Sequence, residues 1–387
     1  MPRTRLETPA FWLTAILAIA LAGAMATLAQ GALQGGSDWQ QADWLIHNEG
    51  GFVRRGMLGS LLIRLGDLLA LGPLAATIAL QAALAVATAL LTWRACLRQG
   101  VTAKLLLVVV SAGFFLVFWN GDRQGAFRKE IFVFLSLAIL AYGAALPSLP
   151  RWQVLASALA FVAGVTAHEG MIFFLPLYLV ALNFAWGNLL APSRRAFAAI
   201  LLAAVGAVFL FNLVQPRLET IEPVCRSLMD RGFQAAFCEG AIEALTHTLR
   251  DEMAVPRAIF QNGGLLNLLY AYGLCLFPFY IYFNDGRDTN WRIIGLLLAI
   301  GLPFLPLYAV AMDWGRWASF HMTGAVYLLL ILRARGLAPE SRRPWPLPLL
   351  VATALLPWFC AFNHVAAEPR MGLVPSAVAK VLERVAE

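Results

Sequence analysis

The chain alternates long apolar runs with short polar turns. The apolar segments fall at 10–31, 73–93, 104–119, 129–147, 153–167, 170–187, 196–214, 264–283, 293–311, 318–333 and 346–363. A stretch of roughly 18 or more apolar residues crosses the hydrocarbon core of a bilayer as a helix. So many long runs do not fit strands buried on both faces of a sheet. The pattern predicts an all-α polytopic membrane protein with about 11 transmembrane helices. The turn between 153–167 and 170–187 is so tight that the count is open by one. The first run follows "MPRTRLETP" and reads as a retained signal anchor.

The turns give the orientation. One set carries Arg3 and Arg5, then Arg94, Arg98 and Lys104, then Arg151, Arg194 and Arg195, Arg287 and Arg292, and finally Arg333, Arg335, Arg342 and Arg343. Short basic loops belong on the cytoplasmic side. The amino terminus is then cytoplasmic and the carboxyl terminus periplasmic. Residues 1–387 form a single transmembrane domain, with a first periplasmic loop at 32–72 and a long one at 215–263. In the first loop, "SDWQQADWLIHN" suits an interfacial helix anchored in the headgroup layer by Trp39 and Trp44.

This orientation places every motif-like polar cluster on the outer side: "NEGGFVRRG" (48–56), "NGDRQGAFRKE" (120–130), "AHEG" (167–170) and "MDWGRW" (312–317). All five histidines, His47, His168, His247, His321 and His364, fall outside or at outer helix ends. The inner loops look like ordinary basic connectors.

Composition agrees. Only 13% of the 387 residues are charged and 60% are hydrophobic, with a mean hydropathy of +0.71. Soluble domains are about 25% charged. The net charge of +7 is spread over both faces and gives no argument for nucleic acid. Of the five cysteines, Cys225 and Cys238 share the long outer loop, where an oxidising compartment permits a disulfide. The alternative is two unrelated thiols. Cys96, Cys275 and Cys360 read as small core residues. No metal-ligand spacing is present, so neither a structural metal nor a cofactor is expected.

Each cluster has a chemical reading beside a plainer one. In the first, Gly50, Gly51 and Gly56 permit backbone shapes other residues resist and let Arg54 and Arg55 point inward; alternatively the two arginines touch lipid headgroups. In the second, Arg123, Arg128, Lys129 and Glu130 stand where a helix enters the membrane. A helix starting near Gly125 would add its N–H groups and dipole to that charge and attract phosphate; otherwise the cations snorkel. In the third, His168 beside Glu169 offers a proton acceptor, or merely a solvated turn. In the fourth, Asp313 and Arg316 are spaced to pair on one helical face, framed by Trp314 and Trp317. The pair is either an interfacial anchor or the edge of a sugar site.

Together these groups suit a diphosphate-linked amphiphile with a carbohydrate head. Arg54, Arg55, Arg123, Arg128, Lys129 and Arg316 would hold the diphosphate, since arginine favours bidentate phosphate contact. His168, Glu169 or Glu49 would take the acceptor proton. Asp313 and Trp314 would meet the sugar. A transporter or flippase of an anionic lipid-linked glycan would need polar groups at mid-membrane, and the helix centres are almost uncharged. A membrane acyltransferase would centre on His168 and Glu169 and leave the arginines unused. A non-catalytic envelope scaffold would leave the convergence of acid, base and arginine unexplained.

The layout resembles the membrane glycosyltransferases of the GT-C superfamily, particularly the bacterial O-antigen and exopolysaccharide polymerases. "DRQGAFRKEIFVFLSLAIL" is similar to their arginine-rich start of a central helix. Glu49, with Asp38 and Asp43 upstream, resembles the first-loop acids of the lipid-phosphate-sugar transferases, although no Asp-Asp or Asp-x-Asp pair is present. The resemblance implies transfer of a glycan from an undecaprenyl-diphosphate carrier to an acceptor sugar. It places the reaction on the periplasmic side of the bacterial inner membrane, alongside other polysaccharide-assembly proteins.

Overall fold

The computed structural model describes residues 8–215 and 218–386; Arg3, Arg5 and the Arg287 side chain lie outside them. Thr8 caps the first helix by accepting from Phe11 N–H, and Pro9 starts it. The chain then runs through α1 (Pro9–Leu33), α2 (Gly56–Leu68), α3 (Pro73–Arg98), α4 (Ala103–Val109), α5 (Phe115–Gly121), α6 (Ile131–Ala144), α7 (Arg151–Ala167), α8 (Leu175–Trp186) and α9 (Pro192–Val214). It continues with α10 (Glu222–Met229), α11 (Leu249–Gln261), α12 (Gly264–Phe283), α13 (Trp291–Ala299), α14 (Leu305–Val310), α15 (Trp314–Ala334) and α16 (Leu347–Phe359). A two-stranded antiparallel ribbon, β1 (Cys360–Phe362) and β2 (Pro369–Met371), precedes α17 (Leu373–Ala386).

Among the described residues, seven helical stretches are long and apolar enough to cross a membrane, the shortest of them Glu169–Trp186. Three shorter apolar helices accompany them. The protein therefore has the make-up of a helical membrane protein. Its exposed apolar side chains, such as Ile200, Leu210, Leu213 and Val214 on α9, suit a lipid boundary.

The expected unbroken helix over 104–119 is two pieces, α4 and α5, with a break at residues 110–114. The break is tolerated because α15 supplies polar partners. Ser319 and Thr323 hydroxyls donate to Gly113 O (3.0 and 3.2 Å), and Thr323 Oγ1 accepts Phe115 N–H (3.0 Å). A second break separates α13 from α14. There the chain switches to 3-10 turns, which frees Leu297 O, and His321 Nε2 donates to it (2.8 Å). Both repairs come from α15, whose residues 314–332 are all buried. This helix is the hub of the bundle.

The first loop differs from expectation. Residues 38–47 do not form an interfacial helix; only a single 3-10 turn, Asp43–Leu45, is present. Trp44 is fully buried and donates through Nε1 to Phe127 O (2.8 Å). Gln81, about a third of the way along α3, explains the inward path. Its amide donates to Gln40 O and Phe127 O (3.0 and 2.9 Å) and accepts from Gln41 (3.0 Å). The amphipathic helix of this region is α2, with Met57, Leu61, Leu65 and Leu68 exposed on one side.

The two ends of the bundle are distinct. At one, Lys104 donates to Ser341 O (2.6 Å) and Arg333 pairs with Glu340 (3.0 Å), so the basic connectors bind each other. At the other, residues 38–55, 122–130, 168–169, 313–316 and 360–371 meet. The segment from α10 onward covers part of this second end. Ala241 N–H donates to Asp38 O (2.9 Å), and Arg231 bridges Glu49 (3.0 Å) and Asp67 (3.1 Å). A disulfide joins Cys225 to Cys238, with Cα atoms 6.0 Å apart. Removing it by Cys225→Ser is expected to loosen the segment by about 3 kcal/mol. The readout is faster proteolysis between residues 222 and 247 while helical circular dichroism stays constant. Equal protection in both proteins would exclude that role.

Candidate functional site

Four chain segments bring their charged residues together at the second end. Arg55 is the N-cap of α2 and takes φ +67°, a left-handed conformation rare for a side chain of this size. Asn212 of α9 holds it there by accepting its backbone N–H (3.3 Å). Its guanidinium forks onto Glu169, with Nε 2.8 Å and Nη2 2.6 Å from the two carboxylate oxygens. Arg54 lies 3.9 Å from the same carboxylate. Of the glycines nearby, Gly51 has φ +120°, and a Cβ at Gly56 would strike the Asn48 side chain that closes over it.

Phe127 also has a positive φ, +57°. Its carbonyl turns inward to Trp44 and Gln81, and the following Arg128, Lys129 and Glu130 turn with it. Helix α6 begins only at Ile131, with Glu130 as its N-cap. A helix starting near Gly125 is thus corrected, and Arg123 does not stand at a helix N-terminus. Lys129 is fully buried, 3.3 Å from Asp43 Oδ1. Arg128 donates Nη1 to Trp39 O (2.9 Å) and stacks over the Trp39 ring at 5.1 Å. Arg316, on the first turn of α15, grips Glu130 through Nε and Nη2 (3.2 and 3.0 Å) and Asp313 through Nη1 (2.9 Å).

These groups form one electrostatic unit. Burial alone would raise the Asp43 carboxyl, but Lys129, then His168, Arg128 and Arg55, hold it well below the usual carboxylate range. Burial depresses Arg128, with Arg316 adding to the effect. Burial also depresses Lys129 and raises Glu130 against the pull of Arg316. Five cations, Arg54, Arg55, Arg128, Lys129 and Arg316, face four carboxylates, Asp43, Glu130, Glu169 and Asp313. The unit is therefore one charge positive. Among the described residues, Asp43 Oδ2 and Arg128 Nε are buried without a hydrogen-bond partner, and Lys129 Nζ has only its ion-pair contact. An orphaned buried donor costs about 1–3 kcal/mol, and more when charged.

The remaining candidates sit around this unit. Burial, then the Arg55 charge, pushes the His168 imidazole well below its ordinary value, and its Nδ1 accepts Gly170 N–H (2.9 Å). Glu49 is half-exposed and belongs to the clasp with Ser227 and Arg231, away from the buried cations. Trp314 is buried, donating Nε1 to Tyr308 O (2.9 Å), so it offers no open face to a sugar. The Arg123 side chain stands apart, nearest Gln30 at 3.5 Å. By sequence Asp43 is only an acid upstream of Glu49; nothing in its local sequence marks it as the partner of Lys129.

Two cavities flank the unit. One, of about 270 Å³, is lined by Arg54, Glu169, Asn212, Leu213, His247 and Thr248 among others, and abuts the exposed end of α9. The other, of about 500 Å³, runs past Gln30, Asp38, Gln40, Arg123 and Gln124. Among the described residues no three histidine, cysteine or acidic side chains gather as a metal-binding set. No family model, curated protein or solved structure matches this chain.

Proposed function

We propose that the protein is an integral membrane glycosyltransferase that moves a glycan from an undecaprenyl-diphosphate-linked donor to an acceptor sugar. In this reading the chain crosses the inner membrane eleven times and the charged unit faces the periplasm, as the basic loops of the opposite end favour. The observation that carries the reading is the buried, net positive unit with unsatisfied donors on Arg128 and Lys129, next to a cavity that abuts the lipid-facing end of α9. A diphosphate would supply the missing acceptors, and its lipid tail would remain against α9.

The cations divide the work. Arg55 and Arg316 fork onto carboxylates through two guanidinium nitrogens each and would hold the unit rigid. Arg128, Lys129 and Arg54 would meet the diphosphate and neutralise charge as the leaving group departs. The test is incubation of the purified protein in nanodiscs with a labelled undecaprenyl-diphosphate oligosaccharide and acceptor. The expected result is elongated glycan with release of undecaprenyl diphosphate. Intact donor, recovered unchanged or merely moved between leaflets in liposomes, would sink the proposal.

A further inference from the structure

A second arrangement of ionisable groups lies at the same end but outside the cationic unit. The turn between β1 and β2 is pinned to the start of α15: Gly315 N–H donates to His364 O (3.0 Å) and Ala366 N–H to Met312 O (2.9 Å). Asp122, directly after α5, is fully buried. One of its oxygens, Oδ2, accepts both the backbone N–H and the Nδ1–H of His364. Arg370 of β2 lies 3.6 Å from the other oxygen. Burial would raise the Asp122 carboxyl, but His364, then Arg370, hold it below its usual value. It stays an anion.

This geometry selects a tautomer. With Nδ1–H given to Asp122, the lone pair of His364 is on Nε2, which has no partner among the described residues. The side chain keeps 11% of its surface open. Asp122 adjoins Arg123, which lines the larger cavity, and Gly315 adjoins Arg316 of the cationic unit. Through these chain neighbours the Asp122–His364 pair is tied to both. The other charged groups near it are Arg370 and Glu368, the latter bound to Asn363, and the Asp313–Arg316 pair of α15.

We propose that His364, oriented by Asp122, is the catalytic base that takes the proton of the acceptor hydroxyl, and that acceptor glycan occupies the cavity beside Arg123. The proposal rests on the transferase reading above. As the hydroxyl oxygen forms its bond to the anomeric carbon, its proton passes to Nε2. The bond from that carbon to the diphosphate oxygen breaks, and its electron pair leaves with the lipid diphosphate. His364 later returns the proton to water. An oriented imidazole with its second ring nitrogen unpaired suits the work of a general base. His168 is depressed by burial, Glu169 is locked to Arg55, and Glu49 is held in the clasp.

The test compares wild type, His364→Asn and His364→Ala in the nanodisc transfer assay. Asparagine retains a donor toward Asp122 and cannot take the proton. It is expected to lower kcat by about 10²–10⁴-fold with little change in KM or thermal midpoint, and to abolish the rise of kcat with pH. Added imidazole should restore part of the activity of His364→Ala. Asp122→Asn should move the pH midpoint downward, because the anion that favours the imidazolium is gone. Full activity in His364→Asn, or an unchanged pH profile, overturns the assignment. Activity lost with the fold and not rescued by imidazole would make the residue a turn anchor and likewise overturn it. A wild-type protein that makes no product defeats the transferase reading itself.

Discussion

Arg128→Ala is expected to reduce glycan transfer by about 10²–10³-fold, the usual cost of removing one preorganised charge-stabilising donor, while leaving the protein folded. Among the described residues Arg128, unlike its neighbours, forms no ion pair with a carboxylate; its Nη1 donates to Trp39 O, and its Nε is buried without an acceptor. Asp43 keeps Lys129 when Arg128 is removed, so the fold loses less than it does at Arg316. What is lost is the donor with the most unused capacity. Arg128→Lys should fail nearly as badly if the phosphate is gripped by the guanidinium fork, and should survive if only charge matters. The transfer assay, paired with a thermal midpoint in detergent, separates loss of chemistry from loss of structure. Wild-type turnover in Arg128→Ala would remove this residue from the site.

Arg316→Ala is expected to do the opposite: destabilise first. Arg316 and Glu130 are both almost fully buried, with side chains 5% and 1% exposed. Deleting one member of a buried ion pair leaves an uncompensated charge, at about 3–5 kcal/mol. Glu130 is already raised by burial and would rise further without the guanidinium. An acid whose folded pKa exceeds its unfolded value destabilises as pH increases through that interval. The deficit of Arg316→Ala should therefore shrink as the medium is acidified. Arg316→Met combined with Glu130→Gln should lose less than the sum of the single changes, because no stranded charge remains. Additive losses at every pH would show that the two side chains do not depend on one another.

Much of the architecture was legible in the chain. Apolar runs read as helices because the bilayer leaves backbone groups no partner but one another, and α1, α3, α9, α12 and α15 lie where those runs do. Breaks were not legible. Residues 110–114 (VSAGF) and 301–304 (GLPF) carry serine, glycine and proline, but membrane helices tolerate these; the helix is interrupted here because hydroxyls and an imidazole on α15 replace the missing backbone bonds. The amphipathic pattern of 38–47 was legible but misleading. Trp44 anchors the segment inside the protein, since Phe127 O accepts its indole N–H and the Gln81 amide donates to Gln40 O, partners that the headgroup layer otherwise would supply.

The candidate site divides the same way. Arginines, acids and glycines in tight turns announced themselves by type and spacing, and a pairing three residues apart, Asp313 with Arg316, follows from helical geometry alone. Asp43 with Lys129, Glu130 with Arg316 and Asp122 with His364 span 86, 186 and 242 positions. No local pattern encodes such distances. Hydrophobic periodicity determined that this protein is a bundle of apolar helices with its unusual charges between them. Which cation meets which carboxylate, and which one is left over, was decided only by the packing of helices whose lipid-compatible surfaces carry no such instruction.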